Sequence, residues 1–499
     1  MILTSDWLWA GIALAVYLIL TGLEILLNRF FRFNPVFAGA FNYFLAGVFV
    51  FFVPIFFTHR IPVVILCLVI ALINLAGLKW FRRSDWFDGR RGLGPVYLPV
   101  ISGFLIWFYF NSNPAVFQAA ILAFTASDPL ATLVGQSMGK IRSWFTLNRN
   151  KTLEGMITMM VMGYLALLLC GFAGLFPGLT YFDLFPIALL VAFIASLAEM
   201  ILSQGLDNIF VPLGTAFLLD TLMQEPQLVI WLWMVLGLMV VAGVLSVLLR
   251  FLTADGAVAM ILMGFFLLGI GGWGWVLPML VFFLLSSLLS LASHRFRQED
   301  QNDPSVKSGA RDQFQVWANG GIPLLLFFLA NYNLWPWIYV VYLAAIAAAT
   351  ADTWSTETGR WFSRNRPLDI LTRQPVPAGQ SGGVTLAGLA GGAAGSAVIA
   401  GLIFWQTDFY FETPVMLFFL ILITGFSGTL VDSILGSRYQ AVFSCTICGS
   451  ETEADQHCNA PSRVTRGIHW LNNDHVNLLS VSIVSVLAIL AYNLFIRPW

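Results

Sequence analysis

The sequence predicts an all-α polytopic membrane protein, and three observations carry that expectation. Of its 499 residues, 59% are hydrophobic and only 10% charged, a balance foreign to soluble globular domains. Apolar stretches of bilayer-spanning length recur along the chain, where a helical span needs about 20 residues. The strict alternation of an outer-membrane barrel is missing, and only helices or closed barrels satisfy the backbone in lipid. The expected architecture is a transmembrane helical bundle of about 14–16 spans in two non-homologous halves.

The clear spans are 7–27, 36–57, 61–79, 153–173, 183–203, 227–249, 272–293, 383–405, 413–435 and 475–496. Shorter or more polar stretches near 94–110, 115–134, 209–222, 257–271, 315–331 and 333–350 complete the set. The first span lacks a basic n-region and a small-residue cleavage site, so it is expected to be a retained helix. Lys and Arg collect at 29–32, 79–91, 140–151, 295–311, 360–373 and 463–466. The positive-inside rule makes those loops cytoplasmic. Counted from an outside N-terminus they alternate correctly if 209–222 crosses or re-enters, with Arg60 the exception. The expected location is the cell (inner) membrane, with polar sites facing the cytoplasm.

No internal repeat aligns, so residues 1–226 and 227–499 read as two separate membrane domains. The clearest linker is the polar segment 294–313. A net charge of −1 gives no footprint for nucleic acid, and the bilayer is the expected partner.

Acidic, Gly-rich patches interrupt the apolar chain. A carboxylate at the centre of a span costs about 2.5–3.5 kcal/mol on insertion scales, so such residues line polar sites. In the first half, Asp128, Thr132, Gly135 and Gly139 share one helical face at about 100° per residue, with Thr125 nearby. Glycines admit close approach, and the acid suits a phosphate-bound Mg²⁺. Lys140, Arg142 and Lys151 follow, placed to neutralise a polyphosphate. Ser196, Glu199 and Ser203 form a second stripe leading to Asp207 and Asn208. GQSMGKI is not a P-loop, because its glycines are too close and no Ser or Thr follows Lys140.

In the second half, Asp352, Ser355, Thr356 and Gly359 share a face, whereas Glu357 points about 140° away from Asp352. Gly425, Gly428, Thr429, Asp432 and Gly436 form another one-sided stripe. Gly379 to Gly383 precedes a long span and would cradle phosphate with backbone amides at a helix start. GGAAGS within that span reads as helix packing. The segment from Arg438 to Trp470 reads as a long loop. Within it, Cys445, Cys448, His457 and Cys458 offer four ligands for a tetrahedral zinc site. Adjacent His457 and Cys458 are awkward for joint ligation, so simple loop thiols are the main expectation and structural zinc the alternative. Disulfides are not expected in a cytoplasmic loop.

RRGLGPVYLP (90–99), SDPLATLVGQSMGK (127–140), KTLEG (151–155) and SLAEM with GLDNIFVPL (196–213) resemble the phytol kinase and dolichol kinase family. The resemblance covers residues 29–220 and implies a membrane enzyme that phosphorylates isoprenoid alcohols, typically with CTP. It implies that Asp128, Lys151, Glu154 and Gly155 belong to the nucleotide and Mg²⁺ site, completed by Glu199, Asp207 and Asn208. Asp128 and Glu199 are the expected catalytic pair. The chain departs from that family in NRFFRFNPVF, which lacks a His, and in Ser127-Asp128 where Gly-Asp is usual.

TADGAVAM, RDQFQVWANGGIP, ATADTWSTETG, VPAGQSGGV, DSILGSRYQ and TRGIHWLNNDHVNLLS resemble the phytyl-phosphate kinase family, known also through transmembrane protein 19-like proteins. This second resemblance covers residues 250–482 and implies phosphorylation of an isoprenyl monophosphate to the diphosphate. The positions it carries over are Asp255, Asn319, Asp352, Glu357, Ser381, Gly382, Asp432, Asn473 and Asp474, with Asp352 and Asp432 as catalytic and metal-binding acids. The combined expectation is a bifunctional isoprenoid-alcohol kinase using Mg²⁺ and CTP, with ATP or UTP as other donors. Its alternatives are a polytopic transporter and a lipid cytidylyltransferase in the first half.

Overall fold

The computed structural model describes residues 2–31, 35–80, 93–139, 141, 151–202, 205–295, 310–331, 337–362, 366–377, 380–405, 413–449, 451–453, 456–458 and 460–496. Lys140, Arg142, Ser203 and Gly379 lie outside the described residues. Among those described there are sixteen α-helices, twelve of them long and apolar enough to cross a membrane. The protein is an all-α polytopic membrane protein. Many large apolar side chains are exposed on the helices, as expected where the surrounding solvent is hydrocarbon. The chain divides into two compact units, Met1–Met234 and Val235–Trp499.

The first unit contains α1 (Ile2–Phe31), α2 (Pro35–Phe56), α3 (Arg60–Trp80), α4 (Gly94–Tyr109), α5 (Pro114–Ser137), α6 (Leu153–Phe172), α7 (Tyr181–Ile201) and α8 (Asp207–Gln224). Helix α5 sits among α2, α4, α6 and α8. It starts at Pro114, whose missing N–H costs nothing in a first turn. Thr152 caps α6 by accepting from the Gly155 amide at 3.2 Å, and Thr180 and Asp183 cap α7 reciprocally. Helix α5 ends at Ser137, so the expected stripe keeps Asp128, Thr132 and Gly135 but loses Gly139 to the following turn. Arg60, the exception to the charge rule, lies over the Trp107 ring at 4.2 Å and donates to the Trp107 carbonyl.

Helix α9 (Leu228–Leu248) leads into the second unit, which holds α10 (Ala254–Gly269), α11 (Gly272–Arg295), α12 (Gln313–Asn331), α13 (Ile338–Phe362), α14 (Leu386–Gly401), α15 (Pro414–Arg438) and α16 (Asn473–Phe495). Every residue of α13 from Ile338 to Ala351 is buried, because α11, α12, α14, α15 and α16 all pack on it. Small residues set the spacing of that core. A Cβ on Gly391 would lie 2.0 Å from Thr358 Oγ1, and one on Gly395 3.0 Å from the Trp354 ring. Gly425 and Gly428 face Ala347 and Ala348 of α13 just as closely. These two members of the one-sided stripe therefore serve helix packing.

Two small sheets interrupt the helices. Strands β1 (Leu368–Asp369) and β2 (Gly383–Val384) pair antiparallel. The segment expected as a plain loop forms β3 (Val442–Cys445), β4 (Glu451–Thr452), β5 (Gln456–His457) and β6 (Ala460–Arg466), in the order β4-β3-β6-β5. Three of its four strands have four residues or fewer, too short for hydropathy to mark them.

Candidate functional site

In the first unit, chain direction alone brings the polar residues together. Asp128 and Glu199 lie in the C-terminal halves of α5 and α7, while Lys151 and Asp207 lie where α6 and α8 begin. Alternating helices place all four at one end of the bundle. Lys151 Nζ is 2.5 Å from Glu199 Oε1 and 3.3 Å from Asp207 Oδ2, and it also donates to the Glu199 carbonyl at 2.5 Å. Burial works against the lysine's charge, but Glu199 and Asp207 outweigh it and hold the ammonium's pKa above its ordinary value. Carboxylate oxygens of Asp128, Glu199 and Asp207 lie within 4.8 Å of one another.

Three acids against one lysine leave an excess of two negative charges when all are ionised. An all-oxygen donor set of that charge fits a hard divalent cation such as Mg²⁺. Asn208 turns its amide to Asp207 Oδ1 at 3.1 Å and to the Gly205 carbonyl at 3.2 Å. Gly94, from the GLGP motif, comes so close that a Cβ there would meet Asn208 Nδ2 at 2.8 Å. Gly205, at φ +88, has no room for a Cβ against the Gly94 backbone.

Two sequence-selected residues do other work. The Glu154 carboxylate accepts from the Ile141 amide at 3.1 Å and so ties Ile141 to the first turn of α6. Gly155 lets α6 approach α5, with a Cβ there only 3.1 Å from the Ala131 carbonyl. One residue was missed. The buried hydroxyl of Tyr43 in α2 has no partner among the described residues, and both Asp128 and Asp207 act on it electrostatically. Nothing in VFAGAFNYFLAG marks that tyrosine apart from any aromatic in a span.

In the second unit the Asp352 and Asp432 carboxyls lie close enough to act on each other, and two carboxyls that share a site favour a proton or a cation between them. Arg360 acts on Asp352, and Glu453 acts on Asp432. Ser381 Oγ donates to Glu453 Oε1 at 2.5 Å. Gly436 lies against the Ser381–Gly382 turn, and Gly382 takes φ +90 where a Cβ would strike Ser437. That turn leads into β2, and α14 starts later at Leu386 behind a Thr385 cap. Ser381 and Gly382 therefore do not stand at a helix start; they pack against Gly436 and Ser437 near the end of α15.

Other selected residues have the following contacts. Glu357 accepts from Ser290 and Ser293 at 2.7 and 2.5 Å, in keeping with its angle from Asp352 on an unbroken helix. Asp255 accepts from Thr253 Oγ1 at 2.5 Å and from the Gln313 amide at 3.1 Å, fixing the entry to α12. Asn319 donates back to the Gln315 carbonyl of its own helix. Asn473 and Asp474 form the first turn of α16, with Asn472 as its cap. Glu453 and Arg360 had no sequence signal as site members, since each is an ordinary charge beside a span or in a polar loop. The Cys445, Cys448, His457 and Cys458 side chains converge, and the three cysteines are free thiols.

Residues 237–485 match the family described as integral membrane protein DUF92. Protein PGR of Arabidopsis thaliana is 32% identical over 239 residues, 43% of this chain and 80% of that protein. An uncharacterized membrane protein of Methanocaldococcus jannaschii is 29% identical over 246 residues, 49% of this chain and 87% of that protein. Phytol kinase of Synechocystis sp. is 31% identical over 131 residues, 26% of this chain, so the match spans 54% of that kinase. No solved structure matches the chain. Through residues 237–485, the chain belongs to the integral membrane protein DUF92 family.

Proposed function

We propose that the protein is a membrane kinase acting on a long-chain prenyl alcohol of the phytol or geranylgeraniol type, in two steps. The first unit makes the monophosphate and the second converts it to the diphosphate. The observation that carries the reading is the half-buried cluster of Lys151 with Asp128, Glu199 and Asp207 at one end of an apolar bundle. The partial similarity to a phytol kinase supports it. An alcohol whose tail lies between helices presents its hydroxyl at such an end.

In the proposed first step the alcohol oxygen bonds to the γ-phosphorus of a nucleoside triphosphate, CTP by preference. The bond to the β-phosphate oxygen breaks, the nucleoside diphosphate leaves, and the hydroxyl proton passes to a carboxylate of the cluster. Asp128, Glu199 and Asp207 would hold Mg²⁺, which when bound offsets polyphosphate charge. Lys151 sets the geometry of Glu199 and Asp207, and the Tyr43 hydroxyl is available to orient the acceptor. In the second unit, Asp352 and Asp432 take the corresponding role toward a monophosphate, with Arg360 as the adjacent cation. Both sites are proposed to face the cytoplasm, where the basic loops lie by the charge rule.

The test is product analysis with purified protein, a panel of isoprenoid alcohols, and CTP, ATP and UTP in parallel. The expected result is prenyl monophosphate and diphosphate, with release of the nucleoside diphosphate. Release of pyrophosphate would instead mark a cytidylyltransferase. Movement of solute without nucleotide turnover would mark a transporter.

A further inference from the structure

We propose that Cys445, Cys448, His457 and Cys458 bind one Zn²⁺ ion, which locks the sheet formed by β3–β6. One ligand atom from each of the four lies within 4.8 Å of the others. His457 Nδ1 is 3.4 Å from Cys448 Sγ and 3.3 Å from Cys458 Sγ. Zn–S bonds of about 2.3 Å and Zn–N bonds of about 2.0–2.1 Å at tetrahedral angles put sulfur and nitrogen about 3.5 Å apart. The side chains already stand at the edges of such a tetrahedron.

The backbone is shaped for the same purpose. After Cys445 the chain folds round its sulfur, with the Ile447 amide donating to Cys445 Sγ at 3.4 Å and the Gly449 amide to the Cys445 carbonyl at 3.0 Å. Gly449 takes φ +71, which closes this turn. Neighbouring strand residues ordinarily point to opposite faces, which argues against ligation by an adjacent His–Cys pair. Cys458, however, adopts φ +53, a left-handed conformation uncommon outside glycine, and this brings its thiol to the side of His457. No disulfide joins the cysteines. Strands β4 and β5 have two residues each, too few to hold a sheet without a cross-link. Three thiolates and an imidazole select Zn²⁺ over Mg²⁺ or Ca²⁺, and four protein ligands close the coordination sphere, as in a structural site.

Glu453, between the two ligand pairs in sequence, accepts from Ser381 and acts on Asp432. The metal therefore positions an acid beside the second cluster. That consequence rests on the proposed function, whereas the zinc site itself does not.

The experiment uses the full chain, purified without a metal-binding tag under reducing conditions. Elemental analysis is expected to find one zinc per chain, retained through dialysis against a chelator. X-ray absorption at the zinc edge is expected to show three sulfurs and one nitrogen. C448S and C458S should lose zinc under the same dialysis while keeping the helical circular dichroism of the wild type. Should a variant fail to fold, the wild-type absorption spectrum decides alone. A reduced wild-type chain that neither carries nor takes up zinc, an all-oxygen shell, or a Cys448–Cys458 disulfide would overturn the proposal. None of these readouts depends on kinase activity, so failure of the kinase reading leaves this result standing.

Discussion

At the scale of single residues, the first unit depends on one half-buried lysine. Lys151 compensates three carboxylates while its side chain stays 15% exposed, and removing one member of a fully buried charge pair costs about 3–5 kcal/mol, an upper bound here. Lys151→Met is therefore expected to lower the thermal unfolding temperature in detergent and to abolish alcohol phosphorylation. Unchanged stability would mean that the acids do not need the lysine. Asp369 is a separate test of polar order outside the spans. Its carboxylate accepts from Ser437 Oγ at 2.6 Å and from the Thr372 and Leu371 amides at 2.8 and 3.0 Å. Burial alone would raise its pKa, but these donors together hold it below the ordinary 3.8. A depressed carboxylate contributes stability above its ordinary pKa and loses it as pH falls through the folded value. Asp369→Asn should then cost about 1–3 kcal/mol at neutral pH, and the gap from wild type should close below pH 3.8. Unfolding curves at pH 7 and pH 3 check both parts, and a gap independent of pH would count against the carboxylate's charge.

At the scale of elements, small residues decide how near the helices of the second unit come. A Cβ on Gly425 would lie 2.5 Å from Ala347 Cβ and Ser396 Oγ, whereas Gly237 has open space around it. Gly425→Val should cost about 1–3 kcal/mol by overpacking, while Gly237→Ala should leave the unfolding temperature unchanged or higher. Equal behaviour of the two variants would contradict the packing described. Most helices were legible because they are written as apolar runs, whereas α13 continues through polar text to Phe362, past the run expected at 333–350. The sheet of β3–β6 was not legible, because pairing of Phe443 with Val464 is a long-range choice with no local periodicity. The same limit applies to the sites. Asp128, Glu199, Asp352 and Asp432 stood out as acids within apolar text. Tyr43 and Glu453 did not, since only the fold carries them to Asp128 and Asp432. Helical angles separated Glu357 from Asp352 correctly, but the same angles could not say that Gly425 and Gly428 face another helix.

At the scale of the whole molecule, each compact unit brings acids from separate helices together, Asp128 with Glu199 and Asp207 in the first and Asp352 with Asp432 in the second. The proposed intermediate, a prenyl monophosphate, is an amphiphile that stays in the bilayer, so joining both units in one chain raises the local concentration of the second for the first one's product. The account then requires that the activities separate by unit. The most direct measurement follows radiolabelled alcohol and radiolabelled monophosphate through three proteins: wild type, Asp128→Asn and Asp432→Asn. Asn keeps the size of Asp but loses the charge that binds a cation. Asp128→Asn is expected to leave alcohol unreacted yet still convert supplied monophosphate to diphosphate. Asp432→Asn is expected to accumulate monophosphate with little diphosphate. Loss of both steps in either well-folded variant, or normal diphosphate formation by Asp432→Asn, would contradict two sites with successive roles.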